Sequence, residues 1–283
     1  MDKTRNILLS TDFSEAAVNA LKFAIGLAKE AGGTRLIVLH SFQLPATGPV
    51  MGLGTAYVTD QAILVDQMQA QAREHMLELE EGYLKPSGLD FECVMQLGSA
   101  MNNINDLAKS KKVDLVVVAN EKAGKLERLL GSLPLYALEH SKAPLLLVPD
   151  KVAYRPFRKM AFATDLKTYE REAVLKQLRY LAELFKPDDI CVLNVHTAEE
   201  ELSGKELQEL EHIRQEFQGM DYEVEMIESE DAEEGILDFV EQEEVGLLAA
   251  IPRQHGFFEG LFHSSITKKL ARHSHVPLLA IHE

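Results

Sequence analysis

The 283-residue chain is 46% hydrophobic and 26% charged, the balance of a soluble globular protein, and its length suits two cores better than one. Its net charge of −16 repels phosphate backbones and anionic lipid heads, so no nucleic acid and no membrane partner is expected. No apolar run approaches the roughly 18 residues that cross a bilayer, and the first strand pattern begins about five residues after Met1, so a cytoplasmic protein without a signal peptide is expected.

Taken in chain order, short apolar runs alternate with longer amphipathic segments. In the first half strands are predicted at 6–10, 35–41, 90–97, 114–119 and 144–148, and helices at 14–31, 60–85, 100–111 and 132–141. Leu115–Val118 and Leu145–Val148 are apolar without interruption, as strands of a parallel sheet covered on both faces should be. Ser14 followed by Glu15 and the stripe Val18, Leu21, Ala24, Ile25 and Ala28 reads as a capped helix, stopped by Gly32 and Gly33. The segment Gln43–Thr59, rich in Gly, Pro and Ala, is predicted to be a mobile loop above the second strand, a candidate lid.

The second half repeats the scheme, with strands near 159–163, 189–195, 221–228, 245–251 and 276–281 and helices near 168–185, 199–217, 231–243 and 264–273. The repetition is visible in the letters. Asn6–Asp12 (NILLSTD) returns as Lys159–Asp165 (KMAFATD), and Ala143–Val148 (APLLLV) returns as Val276–Ile281 (VPLLAI). The joint falls between Pro149 and Pro156. Alternation of this kind implies a doubly wound open α/β sheet with right-handed crossovers in each half. Both final strands are apolar throughout, so they are expected to cover each other rather than stand as open edges.

Charge is uneven: residues 1–150 hold 14 basic and 18 acidic side chains, residues 151–283 hold 15 and 27. Nineteen of the latter lie between Glu199 and Glu244, a pattern read chiefly as solvated helix faces. Cys93 and Cys191 sit in apolar strands and are expected to be buried free thiols. Five of the ten histidines fall in the last 30 residues, but no ligand spacing accompanies them, and no metal is predicted.

In open α/β sheets a ligand sits beyond the carboxyl ends of the strands where the strand order reverses. Thr11 and Asp12, Gly98 and Ser99, and the loop Asn120–Gly131 should converge there in the first half. Gly131 and Ser132 open a helix whose N–H groups and positive end favour a phosphate. Equally, Ser132 caps that helix and Gly131 makes its turn.

The strand ending in Thr-Asp, the Leu39–His40 run, Asp114–Val118 (DLVVV) and above all Gly131–His140 (GSLPLYALEH) with the APLLLV that follows resemble universal stress protein domains. The whole chain resembles a tandem universal stress protein, with domains at 1–150 and 156–283. The resemblance implies a parallel sheet of order 3-2-1-4-5 in each domain, the adenine nucleotide alpha hydrolase-like fold, and pairing through the last strands. It also implies ATP or another adenine nucleotide, with the aspartate after the first strand at the adenosine end and a G-x2-G-x9-G-[ST] loop around the phosphates. Carried over, it places a base near Asp12 and Leu39, keeps Gly98 in type, and sets the phosphates near Gly124, Gly131 and Ser132. The two upstream loop glycines should stand at Val118 and Glu121, so the motif is degraded. The second half has His263 and Ser264 for Gly131 and Ser132, Arg253 in the loop, and Glu230 aligned with Gly98, so no cofactor is predicted there.

No nucleophile with a matched base stands out. The sequence therefore points to a non-enzymatic, cytoplasmic stress-response or regulatory protein, acting on an unidentified protein partner. The alternative is a weak ATP-binding or ATP-hydrolysing sensor that uses the first domain. A whole-chain homodimer is a secondary expectation, because the internal pair already supplies one interface.

Overall fold

The computed structural model describes residues 4–43, 56–121, 133–166, 172–196, 202–252 and 264–282, with backbone only for 56–62 and 264–266. In the first half β1 (Arg5–Thr11), β2 (Thr34–Phe42), β3 (Asp90–Leu97), β4 (Leu115–Asn120) and β5 (Leu145–Pro149) alternate with helices. The long helices are α1 (Glu15–Ala31), α2 (Ala56–Leu79), α4 (Ala100–Ser110) and α5 (Leu133–His140). Most of the predicted lid, residues 44–55, lies outside the described residues, while Ala56–Thr59 are already helix. The predicted single helix over 60–85 instead ends in a π-helical turn at Glu80–Leu84 and a short α3 (Lys85–Ser87). Pro86 has no N–H to give the carbonyl of Gly82, so the register widens and Lys85 N–H reaches back to Glu80 instead.

The second half carries β6 (Lys159–Ala163), α6 (Glu172–Phe185), β7 (Asp189–His196), α7 (Gly204–Glu216), β8 (Tyr222–Glu228), α8 (Ala232–Gln242), β9 (Leu247–Ala250), α9 (Ser264–His273) and β10 (Leu278–Ala280). Each half has the strand order third-second-first-fourth-fifth. The two sheets are not separate, however. They run together as one 10-stranded sheet, β3-β2-β1-β4-β5-β10-β9-β6-β7-β8. Every neighbouring pair is parallel except β5 and β10, which meet antiparallel with Leu145, Leu146 and Leu147 opposite Ala280, Leu279 and Leu278. Pairing the two apolar last strands removes two edges that would otherwise be open.

The core follows the sheet. One layer of buried side chains, on the α1 and α6 face, runs from Ile7 and Leu27 through Leu146 and Leu279 to Leu178 and Phe185. The other, beneath α4, α5, α8 and α9, runs from Leu8 and Ile104 through Leu147 and Leu278 to Ile236 and Leu270. Neither layer stops at the joint. Polar ties cross it too: Tyr180 donates to Asp114 Oδ1 at 3.2 Å, Lys186 to the carbonyl of Glu30 at 3.2 Å, and Lys268 pairs with Glu139.

The connecting segment is strapped to α1. Asn19 donates to the carbonyls of Pro149 (3.2 Å) and Val152 (3.0 Å). Tyr154 then lies in a notch above Gly26, where a Cβ would stand 2.4 Å from its ring. That ring meets Phe23 edge-on at 5.2 Å, and Phe157 meets Phe185 at 5.6 Å, so aromatic packing continues from α1 into α6.

Cys191 is buried, but Cys93, on the edge strand β3, is only partly so. Burial pushes both thiols up to about 12, with the Glu80 carboxylate adding to the effect at Cys93. Thiols held protonated in this way are poor nucleophiles.

A candidate ligand cleft at the switch point

The repeated Thr-Asp has a structural role before any other. Thr11 Oγ1 accepts from the N–H of Phe13 at 3.1 Å, and Phe13 takes a left-handed φ of 67°. In the second half Thr164 Oγ1 accepts from Leu166 N–H at 3.1 Å, with Leu166 at φ 52°. Each threonine carbonyl is in turn bonded from the neighbouring strand, by His40 Nδ1 in one half and Asn194 Nδ2 in the other, both at 2.9 Å. A non-glycine residue held left-handed costs about 1 kcal/mol or more, so the surrounding bonds must enforce it. The turn aims the chain from the sheet into the helix. After β1, Asp12 Oδ1 accepts from Ser14 N–H at 3.0 Å and Ser14 caps α1 by accepting from Ala17 N–H at 3.2 Å.

Beyond the carboxyl ends of β1 and β4, where crossovers leave in opposite directions, lies a cleft of about 280 Å³. Ser10, Thr11 and Asp12 form one wall, and Val118, Ala119 and Glu121 the other. The first turns of α1, α4 and α5 close it, through Ala16 and Ala17, Ala100, and Leu133 and Pro134. The first turns of three helices therefore meet at one space, where their positive dipole ends favour a negatively charged group. The charged side chains among its described walls are both carboxylates, Asp12 and Glu121. Backbone and side chains thus pull in opposite directions.

The predicted site residues fall as follows. Asp12 is exposed and lines the cleft. Leu39 does not line it; it is fully buried in the core beneath α4 and α5. Ser41, two residues further along the same face of β2, takes the wall instead. Its Oγ accepts from Asn103 Nδ2 at 3.1 Å, which leaves the hydroxyl hydrogen to donate elsewhere. Gly98 is the turn behind the cleft, at φ 125° with its N–H on the carbonyl of Phe42 at 2.9 Å. A side chain would be strained at that φ. Gly124, Gly131 and Ser132 lie outside the described residues, as do Arg253, His255 and His263.

Sequence reasoning missed Ser41 and its anchor Asn103, and it missed the tilted ring contacts of Phe13 with His40 (4.3 Å) and His75 (5.2 Å). Ser41 could have been found by counting two positions on from Leu39. The ring contacts could not, because His75 belongs to a helix whose rotation no periodicity fixes.

The second half differs at each matching point. Asp165 is buried where Asp12 is exposed. The residue that matches Gly98 is Ser229, whose N–H bonds the carbonyl of His196 as that of Gly98 bonds Phe42. The alignment of Gly98 with Glu230 is therefore off by one. Glu230 is an inserted residue before Asp231, which caps α8 through the N–H groups of Glu233 and Glu234.

A family model for the universal stress protein family matches residues 3–149 and again residues 156–282. A universal stress protein of Methanocaldococcus jannaschii is 26% identical over 145 residues, 51% of this chain and 81% of that one. Among solved structures, a universal stress protein of Archaeoglobus fulgidus aligns over 99% of both chains at 19% identity with a TM-score of 0.73. A Pseudomonas aeruginosa protein of unknown function aligns over 99% of this chain and 92% of its own, at 14% identity and a TM-score of 0.56.

Proposed function

The chain belongs to the universal stress protein family, in tandem form, and from that premise we propose that it is a cytoplasmic, non-enzymatic regulatory protein whose first half takes an adenine nucleotide. The observation that carries this reading is the switch-point cleft, with three helix N-termini turned toward one space. The base end lies by Asp12 and Ser41, and the phosphates lie toward the start of α5, which Gly131 and Ser132 precede in sequence. The carboxylates of Asp12 and Glu121 oppose a polyphosphate, so binding is weak. Lys122, Lys125 and Arg128, in the loop between β4 and α5, are the nearest basic residues in sequence.

Binding rather than turnover fits the chemistry of the walls. The polar side chains among the described residues that line the cleft are the hydroxyls of Ser10, Thr11, Ser14 and Ser41 and the carboxylates of Asp12 and Glu121. The second half serves as a structural and interaction module. Its buried Asp165, the Ser229 in place of a glycine and the acidic α7 and α8 all disfavour a phosphate ligand.

Isothermal titration of the full chain with ATP, ADP and adenosine, paired with mass spectrometry of the purified protein for retained nucleotide, tests the reading. Binding that is abolished by Ala100→Leu, which fills the cleft from the first turn of α4, supports it. Full affinity in that variant, or none in the parent chain, refutes it.

A further inference from the structure

The described walls of the cleft all belong to the first half, but a residue beside them is bonded to the second half. Asn120 is the last residue of β4, between Ala119 and Glu121, both of which line the cleft. Its Nδ2 does not turn back to its own half. It donates to the carbonyl of Ala271, in the last turn of α9, 151 residues away. The antiparallel meeting of β5 and β10 makes this contact possible, because it brings the carboxyl end of the first half's sheet beside the segment that leads from α9 into β10. A helix's last carbonyls have no partner within the helix, so an amide donor from another element is a natural anchor for that turn.

The cations of α9 are disposed unequally. Lys268 is paired with Glu139, and Lys269 lies 3.0 Å from Glu233. Arg272, next to the anchored carbonyl, is exposed and makes no ion pair among the described residues. The cleft's own described walls carry two carboxylates and no cation. The cleft whose described walls hold no cation and the helix turn that carries Arg272 are thus joined by one side chain.

We propose that the cleft is a shared site. The last turn of α9 completes its outer wall, Asn120 positions that turn, and Arg272 supplies the positive charge for the anionic end of the ligand. This rests on the nucleotide reading above and adds that the second half takes part in binding. Arg272 is then a ligand-binding residue and Asn120 a positioning residue. By linkage, a ligand that touches α9 must also hold it more firmly in place.

The test uses the full chain, with ATP and adenosine as probes, and compares the parent with Arg272→Glu, Arg272→Lys and Asn120→Ala. An arginine on a phosphate makes charge-assisted hydrogen bonds, so Arg272→Glu should weaken ATP by about tenfold or more while changing adenosine by less than about twofold. Arg272→Lys should keep most of the ATP affinity, because the charge remains. Asn120→Ala should weaken ATP, and in the parent chain ATP should slow hydrogen exchange across residues 264–273. Arg272 is exposed, so its variants are expected to melt with the parent; Asn120→Ala is read only alongside them. If the parent binds ATP but both Arg272→Glu and Asn120→Ala bind it equally well, with α9 exchange unchanged, the shared site is wrong and the first-half reading stands. If the parent binds neither probe, both fall together.

Discussion

Gly26→Ala should destabilise this protein, although the same change at an open helical position stabilises. The added Cβ would stand 2.4, 2.6 and 2.9 Å from three atoms of Tyr154, distances at which something must move. Overpacking of that kind costs about 1–3 kcal/mol. Against it stands the gain in helix propensity, about 0.8–1 kcal/mol for Gly to Ala in a helix interior. The balance is a net loss on the order of 1 kcal/mol, a fall of roughly 2 °C in Tm for a chain of this size. Removing the obstacle should reverse the sign. In a Tyr154→Ala background the notch is open, only the propensity term remains, and Gly26→Ala should stabilise by about 0.8–1 kcal/mol. Urea denaturation followed by circular dichroism, with midpoints compared across the four proteins, measures both steps. If Gly26→Ala stabilised in both backgrounds, the connecting segment would not be packed against α1, and the continuity of the two halves would lose one of its supports.

Other outcomes follow from the same contacts. His282 joins the second half to the first by donating from Nε2 to the carbonyl of Leu138 at 2.9 Å, and burial pushes its imidazole below the ordinary 6.5. A proton therefore binds the unfolded chain more readily than the folded one. The stability held by neutral His282 is complete above pH 6.5 and is lost as pH falls from there through the folded-state value, so His282→Gln should flatten the acid limb of a Tm-against-pH curve. Thr164→Val should cost about 1–2 kcal/mol in a urea titration, because Leu166 N–H loses its partner in a left-handed turn; an unchanged midpoint would show that the threonine does not hold it. A fragment of residues 1–150 exposes β5 as a bare apolar edge and should dimerise or precipitate on size-exclusion chromatography, whereas a stable monomer would contradict the shared core. Cys191 should resist a maleimide reagent at pH 8 until denaturant is added, since burial holds its thiol protonated and covered.

Much of this fold is legible in the letters. Continuous apolar runs such as Leu145–Val148 fit strands covered on both faces, and the return of NILLSTD as KMAFATD announces a second copy. That the copies fuse into one sheet is a matter of β5 and β10 finding each other, and their shared APLLLV-like pattern says only that each needs a cover. The site was less legible. Strand alternation puts Leu39 and Ser41 on the same face, but only the length of β2 decides which of them reaches the cleft and which stays in the core. Counting back from the helices matches Glu230 to Gly98, and an inserted residue at the cap of α8 shifts that count. In the sequence Asn120 reads as one more loop residue. Its bond to Ala271 depends on an antiparallel junction that no local pattern encodes.

The central claim is that one cleft, in the first half and walled by Asp12, Ser41 and Glu121, takes an adenine nucleotide. Photolabelling of the full chain with 8-azido-ATP, followed by peptide mapping with and without excess ATP, tests it most directly. ATP-protected label on peptides from the ends of β1 and β2, with none on their second-half counterparts around Asp165 and Asn194, is the predicted result. Protected label on the second-half peptides, or no protected label at all, would contradict it.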